Sequence, residues 1–159
     1  MVTPEQARAV LAEVDAALPT LVRRDAALHA VIATLARRLP AYRWVGVYLL
    51  DGGVLNLGPY VGAKTEHTLI PVGKGVCGTA VAENRDMIVE DVRALENYLA
   101  CSVDTRSEIV VLIRAPDDSR VLGQIDADGH EVGAFDASDR ALLAAVAERL
   151  APLLLEPAE

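Results

Sequence analysis

Two stretches of helical periodicity open the chain. Apolar side chains recur three and four positions apart in residues 7–18, a few positions after Thr3, a residue type that commonly caps a helix N-terminus. Residues 21–39 repeat this spacing, and the repeat stops at Pro40, a residue disfavoured inside helices. The pattern therefore predicts two packed helices within residues 1–40.

The pattern becomes strand-like in the middle of the chain. Residues 44–50 form a nearly continuous apolar run, a glycine-containing turn follows, and residues 54–60 form a partner strand. Residues 68–72 predict a third, short strand that leads into the glycine-rich segment 73–78, and residues 79–83 predict a short helix. This part of the chain therefore predicts a hairpin, a third strand and a small helix.

A second hairpin and a closing helix complete the predicted elements. Residues 108–114 and 120–128 are strongly strand-like and are joined by a short polar turn. A long polar segment, 90–106, precedes them, and loops of this length in a compact domain are usually functional. Apolar side chains at helical spacing predict the last helix at residues 136–155.

The order of these elements predicts the fold class. It is typical of an α+β domain with a central antiparallel sheet and helices packed mainly on one face. We expect one domain over residues 1–159, with leading helices at 1–40, the sheet and its loops at 43–128 and the closing helix at 136–155. A chain of 159 residues, 52% of them hydrophobic, suits a single core.

Charge and hydropathy narrow the classes of partner. The formal net charge is -8, which disfavours a surface that neutralises the phosphates of nucleic acid or an anionic membrane. No apolar run approaches the ~20 residues that a membrane-spanning helix needs, and no basic patch followed by an apolar stretch occurs at the N-terminus. We therefore expect a cytoplasmic protein that binds neither nucleic acid nor membranes.

The second predicted hairpin brings acidic side chains together. A turn centred near Asp117 places Glu108 roughly opposite Asp126, and Asp128 lies on the same face because side chains alternate along a strand. Like charges at such positions destabilise a sheet unless they are solvated, partly protonated or neutralised by a cation. The alternatives are therefore a solvated end of the sheet, a site for a hard metal ion, or a pocket for an organic ammonium group.

The chain contains two cysteines, Cys77 and Cys101, too few for a disulfide scaffold and without the spacing of a structural zinc site. Cys77 lies near the N-terminus of the predicted small helix, whose dipole favours a thiolate. Cys101 lies seven residues before Glu108, so its loop can fold back over the carboxylates. Either cysteine could be a small buried apolar residue, but two thiols beside carboxylates suggest redox chemistry.

Several short strings of residues resemble, in the same order, those of the free methionine-R-sulfoxide reductases, which are single GAF domains. The strings are WVGVYLL (44–50), LGPY (57–60), IPVGKGVCGTA (70–80), AC (100–101), SEIV (107–110) and IDAD (125–128). Each string is weak alone, but the combination is specific and covers most of the chain. The predicted leading and closing helices also occupy the expected places.

The resemblance implies a redox enzyme that acts on a free amino acid. By position, Cys101 corresponds to the catalytic thiol that attacks the sulfur of free L-methionine (R)-S-oxide, releases L-methionine and becomes a sulfenic acid. A second thiol then forms a disulfide, and thioredoxin regenerates the enzyme. No bound cofactor or metal is implied, and self-association into a homodimer is left open.

The resemblance also assigns roles around this thiol. Glu108, Asp126 and Asp128 correspond to substrate-binding carboxylates, whose cation would be the ammonium group of the free amino acid. We expect Glu108 or Asp126 to protonate the leaving sulfoxide oxygen, because crowding raises a carboxyl pKa. The aromatic residues expected to wall the thioether end are Trp44, Tyr48 and Tyr60.

One position departs from the family's pattern. The family typically carries a further cysteine ahead of Cys77, where this chain has His67. Cys77 is then the intramolecular candidate to resolve Cys101; otherwise an external thiol reduces the sulfenic acid, or turnover is lost. The last case corresponds to an alternative function, a non-catalytic GAF module that binds a small molecule as a sensor.

Overall fold

Four helices and six strands occur in the described part of this computed structural model, which comprises residues 1–99, 103–117 and 119–155. The helices are α1 (Pro4–Ala17), α2 (Arg24–Arg38), α3 (Gly75–Glu83) and α4 (Ala137–Leu155). The strands are β1 (Trp44–Asp51), β2 (Val54–Val61), β3 (Leu69–Pro71), β4 (Met87–Val89), β5 (Ser107–Arg114) and β6 (Val121–Gly129). Among the described helices, none combines the length and apolarity needed to cross a membrane.

The strands form one antiparallel sheet in the order β3-β2-β1-β6-β5-β4. The two hairpins predicted from the sequence, β1–β2 and β5–β6, meet where β1 pairs with β6. β1 and β6 therefore lie at the centre of the sheet, and β3 and β4 lie at its edges. The predicted α+β class with a central antiparallel sheet is confirmed.

Helices α1, α2 and α4 cover one face of the sheet and form the larger apolar core with it. Because strand side chains alternate, this face receives Ile109, Val111 and Ile113 from β5. It receives Ile125 and Ala127 from β6 by the same alternation. The prediction that the helices pack mainly on one face is therefore correct.

The small helix α3 and the loops around it cover the opposite face. Tyr48 from β1 and Val110 and Leu112 from β5 form a second apolar cluster with α3 side chains, among them Val76. Along β5 and β6 the acidic residues alternate with residues whose side chains enter the larger core. The acidic side chains therefore point to the opposite face, the one that α3 covers. The candidate functional residues therefore lie between the central strands and α3.

Local sequence signals explain where the helices begin and end. Thr3 and Gln6 form a reciprocal capping box at the start of α1. α2 ends at Arg38, two residues before Pro40. α3 ends at Glu83, and the next residue, Asn84, has a φ of 51°, the left-handed conformation common after a helix C-terminus.

The register of the β5–β6 hairpin differs from the sequence-based prediction. Glu108 pairs directly with Asp128, so its predicted pairing with Asp126 is wrong. The difference arises near the turn in two steps of one residue each. A turn centred on Asp117 would pair Arg114 with Arg120, but Arg114 pairs with Val121, and the register shifts by one further residue immediately before Arg114. Because the total shift is two residues, each side chain keeps its face, and the three acidic residues still share one face.

Candidate functional site

A cluster of three buried carboxylates lies where the central strands meet α3. Glu108, Asp126 and Asp128 are 4%, 0% and 1% exposed. This burial excludes the solvated end of a sheet that was one interpretation of the sequence. Among the described residues, neither oxygen of Asp126 has a hydrogen-bond partner. Because a buried carboxylate is costly in its charged form, the cluster requires protons or a bound cation.

The thiol of Cys77 joins this cluster from α3. Cys77 is the third residue of α3, it is buried, and its Sγ donates to Oε1 of Glu108 over 3.7 Å. One ligand atom each from Cys77, Glu108 and Asp126 lies within 4.8 Å of the others. The structure therefore brings the thiol predicted near a helix N-terminus into contact with the predicted carboxylates.

The glycine-rich segment before α3 explains how Cys77 reaches the sheet. Gly73 and Gly75 have φ values of 95° and 62°, which glycine adopts without steric cost. A Cβ on Gly78 would lie 2.6 Å from the carbonyl oxygen of Pro71, so a side chain is excluded there. These glycines allow a tight reversal between β3 and α3 and bring the first turn of the helix against the site.

Burial and mutual repulsion raise the pKa values of the carboxyl groups. The pKa of Glu108 lies well above its usual 4.5, first because of burial and then because of repulsion by Asp126 and Asp128. Burial also raises the pKa of Asp126 above 3.8, and its contacts with Glu108 and Cys77 partly offset the rise. Glu108, whose pKa is raised by both burial and repulsion, is therefore the carboxyl group best suited to hold a proton and to donate it.

A small cavity lies beside the carboxylates. Its volume is about 10 Å³, which is room for about one water molecule. Glu108, Asp126 and Cys77 line it. The other lining residues are Tyr48, His67, Ile70, Lys74, Gly75, Val76 and Leu99. A ligand larger than water therefore requires neighbouring side chains to move apart.

The donor set bears on the metal alternative that the sequence left open. Cys77, Glu108 and Asp126 are the described residues placed to hold an ion together. A thiol among the donors is unlike a site for calcium or magnesium, which prefer oxygen ligands alone. The arrangement is better suited to a cation that donates hydrogen bonds, because Asp126 has two buried oxygens available as acceptors.

The three aromatic residues predicted at the site lie side by side, and one of them lines the cavity. Tyr48 is fully buried, and its hydroxyl donates to the carbonyl of His67 over 2.9 Å. The Trp44 ring lies next to Tyr48, with centroids 6.4 Å apart, and stacks on Tyr60 with centroids 5.3 Å apart. The structure thus places Tyr48 in the cavity wall and the other two rings outside the lining.

The predicted nucleophile Cys101 lies outside the described residues. Leu99 precedes it by two positions and lines the cavity. His67, which stands at the position of the family's further cysteine, also lines the cavity.

Sequence reasoning missed Asn97. Its side chain makes hydrogen bonds to three groups at the start of α3, although it belongs to the polar segment 90–106. An asparagine in a polar loop is usually solvated, and no local pattern distinguishes one that binds a distant segment. Lys74, three positions before Cys77, also lines the cavity.

Comparisons with known proteins show what this chain is similar to. A family model described as "GAF domain" matches residues 23–154. The chain is 40% identical to the free methionine-R-sulfoxide reductase of Escherichia coli over 107 residues, which are 67% of this chain and 63% of that protein. The match therefore spans less than two thirds of that relative's length.

Two solved structures are similar over most of their length. The free methionine-R-sulfoxide reductase of Neisseria meningitidis, in complex with its substrate, has a TM-score of 0.87 and 33% identity, covering 98% of this chain and 93% of that chain. The type II free methionine-R-sulfoxide reductase of Thermoplasma acidophilum has a TM-score of 0.79 and 38% identity, covering 82% and 92%. Both similarities therefore extend over more than four fifths of this chain.

Proposed function

This chain belongs to the GAF domain family, among the free methionine-R-sulfoxide reductases, and we propose that it reduces free L-methionine (R)-S-oxide to L-methionine. The observation that carries the proposal is the buried cluster of Glu108, Asp126 and Asp128 beside the thiol of Cys77. Such a cluster suits a small ligand that carries a cationic group and a reaction that consumes a proton. Reduction of a free amino acid sulfoxide meets both conditions, because the substrate carries an ammonium group and its leaving oxygen takes up a proton.

The carboxylate cluster supports recognition of the substrate's ammonium group. An ammonium ion offers three N–H donors to oxygens such as those of Asp126, and its charge offsets the repulsion among the carboxylates. A methionine inside a peptide lacks this group, so it would leave buried acceptors without partners. Specificity for the free amino acid would follow from that penalty.

Cys101 is the proposed nucleophile and Glu108 is the proposed acid. The Cys101 thiolate attacks the sulfoxide sulfur, and Glu108 protonates the sulfoxide oxygen. The sulfur–oxygen bond of the substrate breaks as the oxygen is transferred to the sulfur of Cys101, and the bond formed between the two sulfurs breaks. Cys101 is then a sulfenic acid, and L-methionine leaves as the thioether. The substrate is reduced by two electrons and the cysteine is oxidised by two.

Cys77 is the proposed resolving thiol. The chain has two cysteines, so any intramolecular disulfide must join Cys77 to Cys101. Cys77 lines the cavity in which the sulfenic acid would form. Condensation of the thiol with the sulfenic acid releases water and gives the disulfide, which the dithiol of thioredoxin then reduces. His67, in the same cavity lining, cannot perform this step because it carries no thiol.

The proposed reaction needs no bound cofactor or metal, because thiols supply the electrons. We place the protein in the cytoplasm, where thioredoxin keeps thiols reduced. Sedimentation velocity would show whether the protein forms a homodimer.

Thioredoxin-coupled oxidation of NADPH tests the proposed activity. The assay compares free L-methionine (R)-S-oxide, its S epimer and a blocked peptide analogue, each with wild-type protein and with Cys101→Ser. We expect turnover only with the free R epimer and none with Cys101→Ser. Wild-type turnover with dithiothreitol but not with thioredoxin would retain the reductase and contradict its proposed reductant.

A sensor that binds the same ligand without turnover is the second candidate function. It is favoured by His67, because a chain with one cysteine fewer has fewer ways to recycle a sulfenic acid. Binding of the free sulfoxide with no turnover by either reductant would support the sensor and contradict the enzyme. A single turnover by Cys77→Ser that then stalls with thioredoxin would support Cys77 as the resolving thiol.

A further inference from the structure

Asn97 ties the segment that precedes Cys101 to the start of α3. Its Oδ1 accepts a hydrogen bond from the Gly75 N–H over 3.0 Å. Its Nδ2 donates to the carbonyl oxygen of Gly73 over 3.2 Å and to Oγ1 of Thr79 over 3.3 Å. One side chain therefore binds the turn before α3 and the first turns of the helix itself.

Leu99 packs against the same turn. A Cβ on Gly75 would lie 3.1 Å from Cγ of Leu99, so the absence of a side chain at Gly75 permits this close approach. Leu99 and Gly75 both line the cavity, as does Cys77. The hydrogen bonds of Asn97 therefore hold in place a segment that forms part of the cavity wall near the Cys77 thiol.

We propose that Asn97 is a positioning residue that fastens residues 95–99 to the start of α3, and so sets both the Leu99 wall of the cavity and the chain that leads to Cys101. This inference rests on the proposed function, since Cys101 is the nucleophile only in that proposal. The cavity has room for about one water, so an amino acid enters only when its wall moves. Asn97 then supplies the contacts that return the wall to its place.

Labelling of Cys77 tests the fastening without an assay of activity. Iodoacetamide treatment followed by mass spectrometry of the Cys77 peptide measures how often the cavity wall opens. Cys77 is 4% exposed, so we expect Asn97→Ala to raise its labelling rate about tenfold by promoting local opening. The exposed neighbour Glu96 provides a matched control, and Glu96→Ala should label at the wild-type rate. Equal rates for Asn97→Ala and wild type would overturn the inference.

Steady-state kinetics with free L-methionine (R)-S-oxide test the consequence for the reaction. We expect Asn97→Ala to raise KM and lower kcat, so that kcat/KM falls about tenfold, because the wall and the nucleophile are both misplaced. Asn97→Asp keeps an acceptor for Gly75 and loses both donors, so it should lie between wild type and Asn97→Ala. A lower Tm with unchanged kcat and KM would overturn the positioning role.

The two proposals fail in different ways. Wild-type protein that neither binds nor reduces the free sulfoxide would contradict the proposed function. An active wild type whose Asn97→Ala variant keeps the same kcat, KM and Cys77 labelling rate would overturn this inference and leave the proposed function intact.

Discussion

The two faces of the central sheet differ sharply, although the same strands build both. On the face covered by α1, α2 and α4, β5 and β6 contribute mainly apolar side chains: Ile109, Val111, Ile113, Ile125 and Ala127. The face covered by α3 carries four buried polar residues from the same strands: Glu108, Gln124, Asp126 and Asp128. Because side chains alternate along each strand, one residue packs into the structural core and the next points to the functional face.

The difference shows how a small domain can bury a group of carboxyl side chains whose burial opposes folding. Burial of apolar side chains on the first face stabilises the fold. Burial of carboxyl groups on the second face opposes folding unless a proton or a cation compensates. Substitutions on the first face should therefore lower stability and spare ligand recognition, whereas those on the second should impair function and spare stability.

The largest expected effect is that of Glu108→Gln on activity. The amide keeps the shape of the side chain but cannot supply the proton, so kcat/KM with the free sulfoxide should fall by about 10²–10⁴-fold. Urea unfolding should show a stability no lower than that of wild type, because the variant buries no ionisable group at this position. Retained activity would contradict the role of Glu108, and a large loss of stability would contradict the comparison of the two faces.

Ile125→Ala should have the opposite consequence. Ile125 is fully buried on the helix-covered face, so the variant should lose about 2–5 kcal/mol of unfolding free energy through lost burial and a residual cavity. The dissociation constant for L-methionine, measured by calorimetry below the unfolding transition, should remain that of wild type. A large change in that constant would show that the two faces are not independent.

The pH dependence of stability distinguishes the faces further. The folded state binds the Glu108 proton more tightly than the unfolded state, because the folded pKa lies well above 4.5. The stability that this proton contributes is complete below pH 4.5 and is lost as the pH rises toward the folded pKa, at up to about 1.4 kcal/mol per pH unit. Urea unfolding of wild type and Glu108→Gln across this range measures the effect. Parallel profiles for the two proteins would contradict a raised pKa at Glu108.

Gln124→Leu, on the face covered by α3, should have the smallest effect. Gln124 is fully buried, and neither polar atom of its side chain has a hydrogen-bond partner among the described residues. An apolar side chain of similar size removes this cost and should raise the free energy of unfolding by about 1 kcal/mol. A loss of stability in urea unfolding would show that the amide has a stabilising partner.

Much of this arrangement could be predicted from the sequence because it depends on local periodicity. Strand alternation was sufficient to place Glu108, Asp126 and Asp128 on one face. The pairing within the hairpin was wrong because it depends on an irregularity near Arg114 that no apolar pattern reveals. The function came from the resemblance, since the residues alone left a solvated end, a metal site and an ammonium pocket as alternatives.

The rest of the site depends on contacts between segments that are distant along the chain. The burial of the carboxylates follows from the docking of α3, which brings Cys77 to Glu108 across 31 positions. Asn97 reaches Gly75 across 22 positions through one side chain. The sequence also could not show which aromatic residue lines the cavity, because Tyr48 and Trp44 point to the same face of β1.

Binding of the ammonium group of a free amino acid by the buried carboxylates can be tested directly. Calorimetric titration of Cys101→Ser, which cannot turn over in the proposed mechanism, tests it with two ligands: free L-methionine (R)-S-oxide and (R)-4-(methylsulfinyl)butanoic acid, which lacks only the amino group. We predict that loss of the ammonium group weakens binding about 100-fold, since it removes charged hydrogen bonds and leaves buried acceptors without partners. Equal affinity for the two ligands would contradict the claim.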